Sequence, residues 1–170
     1  DDWLKYIETL RPNEDEFSLE RIRPIYEELI GKPVAKKIVI VGGTNGKGTT
    51  VEFLQELCKS QNVSVGSYTS PHLFNFNERI RLNGNSVSDN QIISAFKKIE
   101  EKRGSIHLTY FDFATLAAFI IFSKANLDMA VLEIGIGGRF DPVNLAEPDV
   151  SILTSVDLDH QNWLGRTTED

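Results

Sequence analysis

Four β-branched residues, Ile38-Val39-Ile40-Val41, run directly into Gly42-Gly43-Thr44-Asn45-Gly46-Lys47-Gly48-Thr49-Thr50. The apolar positions that follow, Val51, Leu54, Leu57 and Cys58, return at helical spacing. No other feature restricts the fold so strongly. A strand that breaks into clustered glycines and re-emerges as a helix turns sharply at its carboxyl end. Val63 to Tyr68 reads as the next strand, so the unit is strand, glycine turn, helix, strand: a right-handed parallel crossover.

The same turn carries chemistry. Small residues allow backbone N–H groups to turn inward around phosphate oxygens, a helix N-terminus adds partial positive charge, and Lys47 adds a full one. The Thr49 hydroxyl is placed to ligate the Mg²⁺ that accompanies a nucleotide. Gly43, Thr44, Asn45, Gly46, Lys47, Gly48, Thr49 and Thr50 are therefore the expected nucleotide-binding residues. The match to the standard phosphate-loop pattern is incomplete, because Gly48 separates Lys47 from the hydroxyl residue. The glycines read G-x-x-G-x-G, which is not the dinucleotide fingerprint either. A plain glycine-rich turn is the alternative.

The flanking segments extend the pattern. Trp3, Leu4, Ile7 and Leu10 form a helical segment stopped by Pro12. Ser18 caps a second, with Leu19, Ile22, Tyr26 and Leu29. Pro24 should kink that helix or delay its start, and Gly31 and Pro33 end it. Thr69 to Asn77 has no period and reads as irregular backbone. Glu78 to Leu82 and Ser86 to Val87 flank Asn83-Gly84-Asn85 as a hairpin. Ser88 caps a helix through Ile92, Ile93, Phe96 and Ile99. A nearly all-apolar helix from about Phe111 to Ala125 should be buried. Asp128 to Ile134 is an apolar strand bearing Glu133, broken by Gly135, Gly137 and Gly138. Val150 to Val156 is one more strand, with Asp157, Asp159 and His160 at its far end. Strands alternating with helices predict an α/β fold with a doubly wound, mainly parallel sheet covered on both faces.

Composition narrows the function classes. The longest apolar stretch, Ala114 to Phe122, is far short of the ~20 residues needed to cross a bilayer. No basic n-region followed by an apolar h-region opens the sequence, so a secretory signal is not expected here. One cysteine, Cys58, excludes an internal disulfide and a multi-cysteine zinc site, which fits a cytoplasmic protein. A net charge of −7 argues against a general nucleic-acid binder. At 170 residues one domain is the default, burying about 70% of the unfolded surface.

Four segments taken together are specific. Gly43 to Thr49 resembles the variant phosphate loop of the Mur ligase superfamily. Lys followed by Gly is similar to its folate branch, the folylpolyglutamate synthases and bifunctional dihydrofolate synthase/folylpolyglutamate synthases. Thr69-Ser70-Pro71-His72-Leu73 resembles the family's Ser-Pro-His-Leu loop. Leu132 to Asp141 resembles its Glu-x-Gly-x-Gly-Gly-Arg-x-Asp segment. Leu158-Asp159-His160 with Trp163-Leu164-Gly165 resembles its Leu-Asp-His loop. The likeness covers essentially all of the chain. One departure stands out: Pro142 and Val143 occupy positions where members often carry Ser or Ala and then Thr, so a hydroxyl is lost near the expected pterin pocket.

The resemblance implies a phosphate-loop NTPase-like fold and an ATP-dependent amide ligase. ATP's γ-phosphate would pass to a carboxylate of dihydropteroate or a reduced folate, and the amine of L-glutamate would attack the acyl phosphate. It implies that Lys47, Glu133 and His160 are catalytic. It places Mg²⁺ on Thr49, Ser70, Glu133 and His160, with Ser70 on an Ω-loop that closes over the site. Phe111, Arg139 and Asp141 face the acceptor. Without the family, Glu133 reads as a solvated strand-end acid and His160 as a polar loop residue. Glu133 can also be read as a Walker B carboxylate, since strand ends in open α/β sheets face the ligand crevice. Residues 1–33 are expected to be a helical lead-in, 37–68 the phosphate-loop core, 69–87 the Ω-type loop and hairpin, and 88–170 the remaining α/β part. The chain opens without Met and ends at Asp170 directly after the Leu-Asp-His segment. The expectation is a partial ATP-binding domain without its C-terminal ligase domain, inactive alone and monomeric when full-length. The alternatives are a regulatory phosphate-loop NTPase and an inert nucleotide-binding fragment.

Overall fold

A computed structural model describes residues 2–10 and 18–157. The expectations for Pro12, Asp159, His160 and Trp163 to Gly165 lie outside these described residues. Five helices and six strands follow in chain order: α1 (Asp2–Glu8), α2 (Leu19–Leu29), β1 (Lys37–Gly42), α3 (Lys47–Ser60), β2 (Val65–Tyr68), β3 (Ile80–Leu82), β4 (Asn85–Ser86), α4 (Asp89–Arg103), α5 (Tyr110–Ala125), β5 (Met129–Glu133) and β6 (Val150–Leu153). Two short 3-10 turns, Phe76–Arg79 and Pro142–Leu145, link them.

One six-stranded sheet runs in the order β4-β3-β2-β5-β1-β6. β2, β5, β1 and β6 are parallel, and the β3–β4 hairpin adds antiparallel to β2. β5 sits between β1 and β2, so the α3 crossover skips one strand. The β-branched run of β1 supplies both faces. Ile38 and Ile40 join the larger core, with Phe113, Leu116 and Phe119 of α5. Val39 and Val41 join the smaller one, beneath Val51 and Cys58 of α3. Each fully buried Val, Ile, Leu or Phe contributes roughly 1.5–3 kcal/mol, and all four residues from Ile38 to Val41 are buried. Every residue of α5 from Asp112 to Phe122 is buried, as its apolar circumference predicts. Among the described residues no helix is long and apolar enough to cross a membrane.

Local signals set the boundaries. Ser18, Ser88 and Thr109 each accept a backbone N–H at a helix start, the last two within capping boxes closed by Gln91 and Asp112. Asn83 and Gly84 both have positive φ, at 51° and 83°, as a two-residue hairpin turn between β3 and β4 demands.

Three details differ from the sequence reading. Pro24 does not delay α2, which starts at Leu19 under the Ser18 cap: the residue is exposed, and water can satisfy the Glu20 carbonyl it leaves without a donor. Glu78 and Arg79 are in a 3-10 turn rather than in β3. The Glu78 carboxylate accepts the amides of Leu73, Phe74 and Asn75, at 2.8, 3.1 and 2.7 Å, and this turns the backbone before the strand begins. β6 ends at Leu153, short of Val156, because Thr154 and Ser155 turn their polar groups to the glycine loop.

Candidate functional site

The carboxyl ends of β1, β5 and β6 point to one edge of the sheet, where glycine loops leave two of them. The first loop is held from a distance. Thr154 Oγ1 donates to the Asn45 carbonyl at 2.7 Å, the Thr44 amide donates to the Ser155 carbonyl at 2.8 Å, and the Asn45 amide donates to Ser155 Oγ at 3.0 Å. Thr44 Oγ1 accepts the Asp157 amide at 2.9 Å. Gly43, at φ +129°, lies so close to β6 that a Cβ would overlap the Thr154 side chain and the Ser155 backbone.

These contacts divide the loop. The amides of Thr44 and Asn45 are committed to Ser155. Those of the first turn of α3 are not covered by a side chain: its N-cap is Gly46, left-handed at φ 84°, with no capping hydrogen bond. A helix start of this kind leaves donors and partial positive charge open to an anion. Lys47 Nζ folds back over the loop, donating to the Gly43 carbonyl at 2.7 Å and the Thr44 carbonyl at 3.3 Å. Thr49 is exposed, and Thr50 Oγ1 is bonded to the Gly46 carbonyl.

Glu133 closes β5 and is buried rather than solvated. Its carboxylate faces the first turn of α3: a Cβ on Gly48 would stand 3.7 Å from Oε2 and 3.9 Å from Oε1. Oε2 also accepts the Ser70 backbone N–H at 3.0 Å. Three of the four sequence motifs thus meet here, two of them on the carboxylate of the third. Burial pushes the Glu133 carboxyl up, and the Ser70 amide and the Lys47 and Arg79 charges only partly offset that. Among the described residues no ion pair includes Glu133, and no group of three His, Cys, Asp or Glu side chains gathers. The donors that do gather, the Glu133 carboxylate beside the turn bearing the Thr49 hydroxyl, are hard oxygens suited to Mg²⁺. His160 falls outside the described residues.

The second glycine segment, 135–141, is built around Asp141. Asp141 Oδ2 accepts the amides of Gly135 and Ile136, at 2.8 and 3.1 Å, and Oδ1 accepts that of Val143 at 2.9 Å. The carboxylate is buried and caps the turn begun by Pro142. Burial pushes it up to about 6 against those three donors. Phe111 lies directly on Gly135, where any Cβ would overlap its ring. Tyr68 stands behind it, ring centroids 6.1 Å apart, and its hydroxyl meets Thr115 Oγ1 at 3.2 Å. Arg139 is exposed. It lines a cavity of about 260 Å³ together with Gly43, Ile134, Asn144 and Leu153. Of the acceptor-side residues inferred from the resemblance, Arg139 shares a cavity with Gly43 of the phosphate loop, and Phe111 and Asp141 meet at Gly135.

Arg79 escaped the sequence reading. It is buried, its Nε donates to His72 Nδ1 at 2.8 Å, and its guanidinium lies over the rings of Phe76 and Tyr110, 5.7 and 5.3 Å from their centroids. The hint in the sequence is an arginine close to the aromatics Phe74 and Phe76.

No family model matches the chain. It is 40% identical over 167 residues to the dihydrofolate synthase/folylpolyglutamate synthase of Escherichia coli K12, which covers 98% of this chain and 40% of that protein. The structure is similar to that of E. coli FolC in complex with DHPP and ADP: TM-score 0.95, 40% identity, 99% of this chain and 41% of the other. It is likewise similar to a bifunctional folylpolyglutamate synthase/dihydrofolate synthase with Mn, AMPPNP and L-glutamate bound: TM-score 0.91, 43% identity, 99% and 41%. The chain spans about two fifths of the length of the relatives it matches.

Proposed function

Because the chain belongs to the dihydrofolate synthase/folylpolyglutamate synthase family, we propose that it forms the ATP-binding part of a ligase that joins L-glutamate to a folate-type acceptor. The acceptor is dihydropteroate, a reduced folate, or both. The observation that carries the reading is the convergence on Glu133 of the α3 first turn and the Ser70 amide. A Walker B-type carboxylate needs that position to face both nucleotide phosphates and a closing loop.

ATP supplies a phosphoryl group to the acceptor carboxylate, and the glutamate amine displaces phosphate from the resulting acyl phosphate. In this reading the first-turn amides of α3 and Lys47 receive the phosphates, with Lys47 leaving the Gly43 and Thr44 carbonyls to do so. Thr49 and Glu133 hold Mg²⁺, joined by Ser70 and His160 for a second ion. Phe111 packs against the acceptor's ring, while Asp141 and Arg139 shape its pocket. Screening of phosphate charge and alignment of the carboxylate are the main catalytic contributions.

Residues 1–170 form part of an N-terminal ATP-binding domain in this proposal: lead-in 1–33, core 37–68, Ω-type loop and hairpin 69–87, and the rest 88–170. The full-length protein is a cytoplasmic monomer that binds neither nucleic acid nor membrane. The chain alone, matching two fifths of its relatives, binds nucleotide and does not complete the ligation. Titration of ATP·Mg²⁺ into the chain and into Lys47→Ala tests the reading. The expected loss is about tenfold or more, as for removal of a charge-assisted phosphate contact. Equal affinities would refute it.

A further inference from the structure

Glu133 receives the Ser70 amide, but nothing in Ser70 or Pro71 holds that amide in place. The residues on either side of the pair do, and both lead to Arg79. The Thr69 amide donates to the Arg79 carbonyl at 2.9 Å. His72 Nδ1 accepts Arg79 Nε at 2.8 Å. One residue therefore grips the chain immediately before and immediately after Ser70-Pro71, through its main chain on one side and its side chain on the other.

Arg79 is itself anchored. It ends the 3-10 turn Phe76–Arg79, whose start is closed by the Asn75–Glu78 capping box. Its guanidinium lies against the rings of Phe76 and Tyr110, which meet each other edge to face, and Phe76 packs in turn on Phe96 and Tyr110, centroids 5.6 and 6.1 Å apart. Among the described residues no ion pair includes it. A buried cation without a carboxylate partner costs stability. A lysine or an apolar residue would fill space here, but neither offers a guanidinium that packs against aromatic rings while its Nε donates to an imidazole. The charge also reaches the site, where it opposes the rise of the Glu133 carboxyl.

We infer that Arg79 is a positioning residue, which clamps both flanks of Ser70-Pro71 so that the Ser70 amide stays on the Glu133 carboxylate and orients it for a divalent ion. The inference rests on the proposed metal role of Glu133, and it adds a residue that acts through His72 and Thr69 without touching nucleotide or metal. Outer partners of this type commonly tune metal affinity by 10–100-fold.

The test uses Arg79→Met and His72→Ala. His72 is only half-buried, so the second variant keeps the test alive if the first fails to fold. Two quantities are measured in each: exchange of the Ser70 amide by NMR, and ATP affinity in Mn²⁺ relative to EDTA. Both variants should speed Ser70 exchange about tenfold. Both should cut the Mn²⁺-dependent gain in affinity by about tenfold, while affinity in EDTA holds. Unchanged Ser70 exchange in both variants overturns the clamp. An equal loss with and without Mn²⁺ overturns it too, since that marks a merely structural role. Glu133→Gln is measured alongside. If it retains the Mn²⁺ gain, the metal reading of Glu133 fails, and Ser70 exchange still decides the clamp by itself.

Discussion

The Ser70 amide and the Glu133 carboxylate, 63 residues apart, meet at 3.0 Å across the carboxyl edge of the sheet. That bond is the hinge between the loop after β2 and the end of β5. It satisfies one lone pair of a carboxylate that is otherwise buried without an ion pair among the described residues. Glu133→Gln keeps an oxygen for Ser70 while removing the buried charge. Because burial raises the folded carboxyl above its unfolded value, its stability contribution is lost as pH rises through the folded pKa. The neutral variant should therefore be more stable at pH 8 without metal, its melting temperature rising by roughly 2–4 °C per kcal/mol relieved. The same variant should lose metal-dependent nucleotide binding. Thermal denaturation in EDTA checks the first half, and a lower melting temperature would contradict it.

Gly43→Ala should destabilise the fold by about 2–4 kcal/mol, the sum of a left-handed backbone and overlap with β6. Gly138 supplies the control, since a Cβ there meets nothing within 4 Å. Gly138→Ala should stay within about 0.5 kcal/mol of the parent. Urea unfolding of the two variants separates loop strain from a general intolerance of alanine.

Gly135→Ala collides with the ring of Phe111 and should likewise destabilise. Trimming the ring in Gly135→Ala/Phe111→Leu should recover part of the loss. The pair should show a coupling of roughly 0.5–3 kcal/mol in a double-mutant cycle. Strict additivity would mean that the two residues do not press on each other.

Asp141 gives a pH signature. Its folded carboxyl is pushed up to about 6, against about 4 in an unfolded chain. The folded form holds the proton more tightly. Its contribution is complete below pH ~4 and is lost as pH rises through about 6, a swing of roughly 3 kcal/mol. Asp141→Asn does not titrate. Wild-type stability minus variant stability should therefore fall between pH 4 and pH 7, as read from denaturant midpoints. A flat difference would show that the three amide donors outweigh burial.

Much of the sheet was legible because its signals are local. The β1 run alternates between two apolar faces, α5 is apolar all round, and Ser18 and Ser88 cap the helices that follow them. The phosphate loop was legible for the same reason. What holds that loop was not. Thr154 and Ser155 read as the tail of a strand, and only tertiary pairing turns their hydroxyls onto Asn45. Glu133 read equally well as a solvated acid, since its burial comes from α3 and the Ser70 loop closing over the strand end. Arg79 was missed because it read as one of several charged residues in a short hairpin strand, where charges ordinarily face solvent. Its burial comes from Phe76 and Tyr110 meeting in the folded chain.

The Ser155 contacts bear on how the protein is made. Asn45 and Ser155 are 110 residues apart. A growing chain releases the glycine loop long before the segment that shapes it. At roughly 5–20 residues per second, the loop waits on the order of 5–20 s on the ribosome. During that interval β1 and α3 can already pack, but Thr44 and Asn45 have no partner to set their backbone. Competence for nucleotide thus waits until the β6 segment clears the exit tunnel.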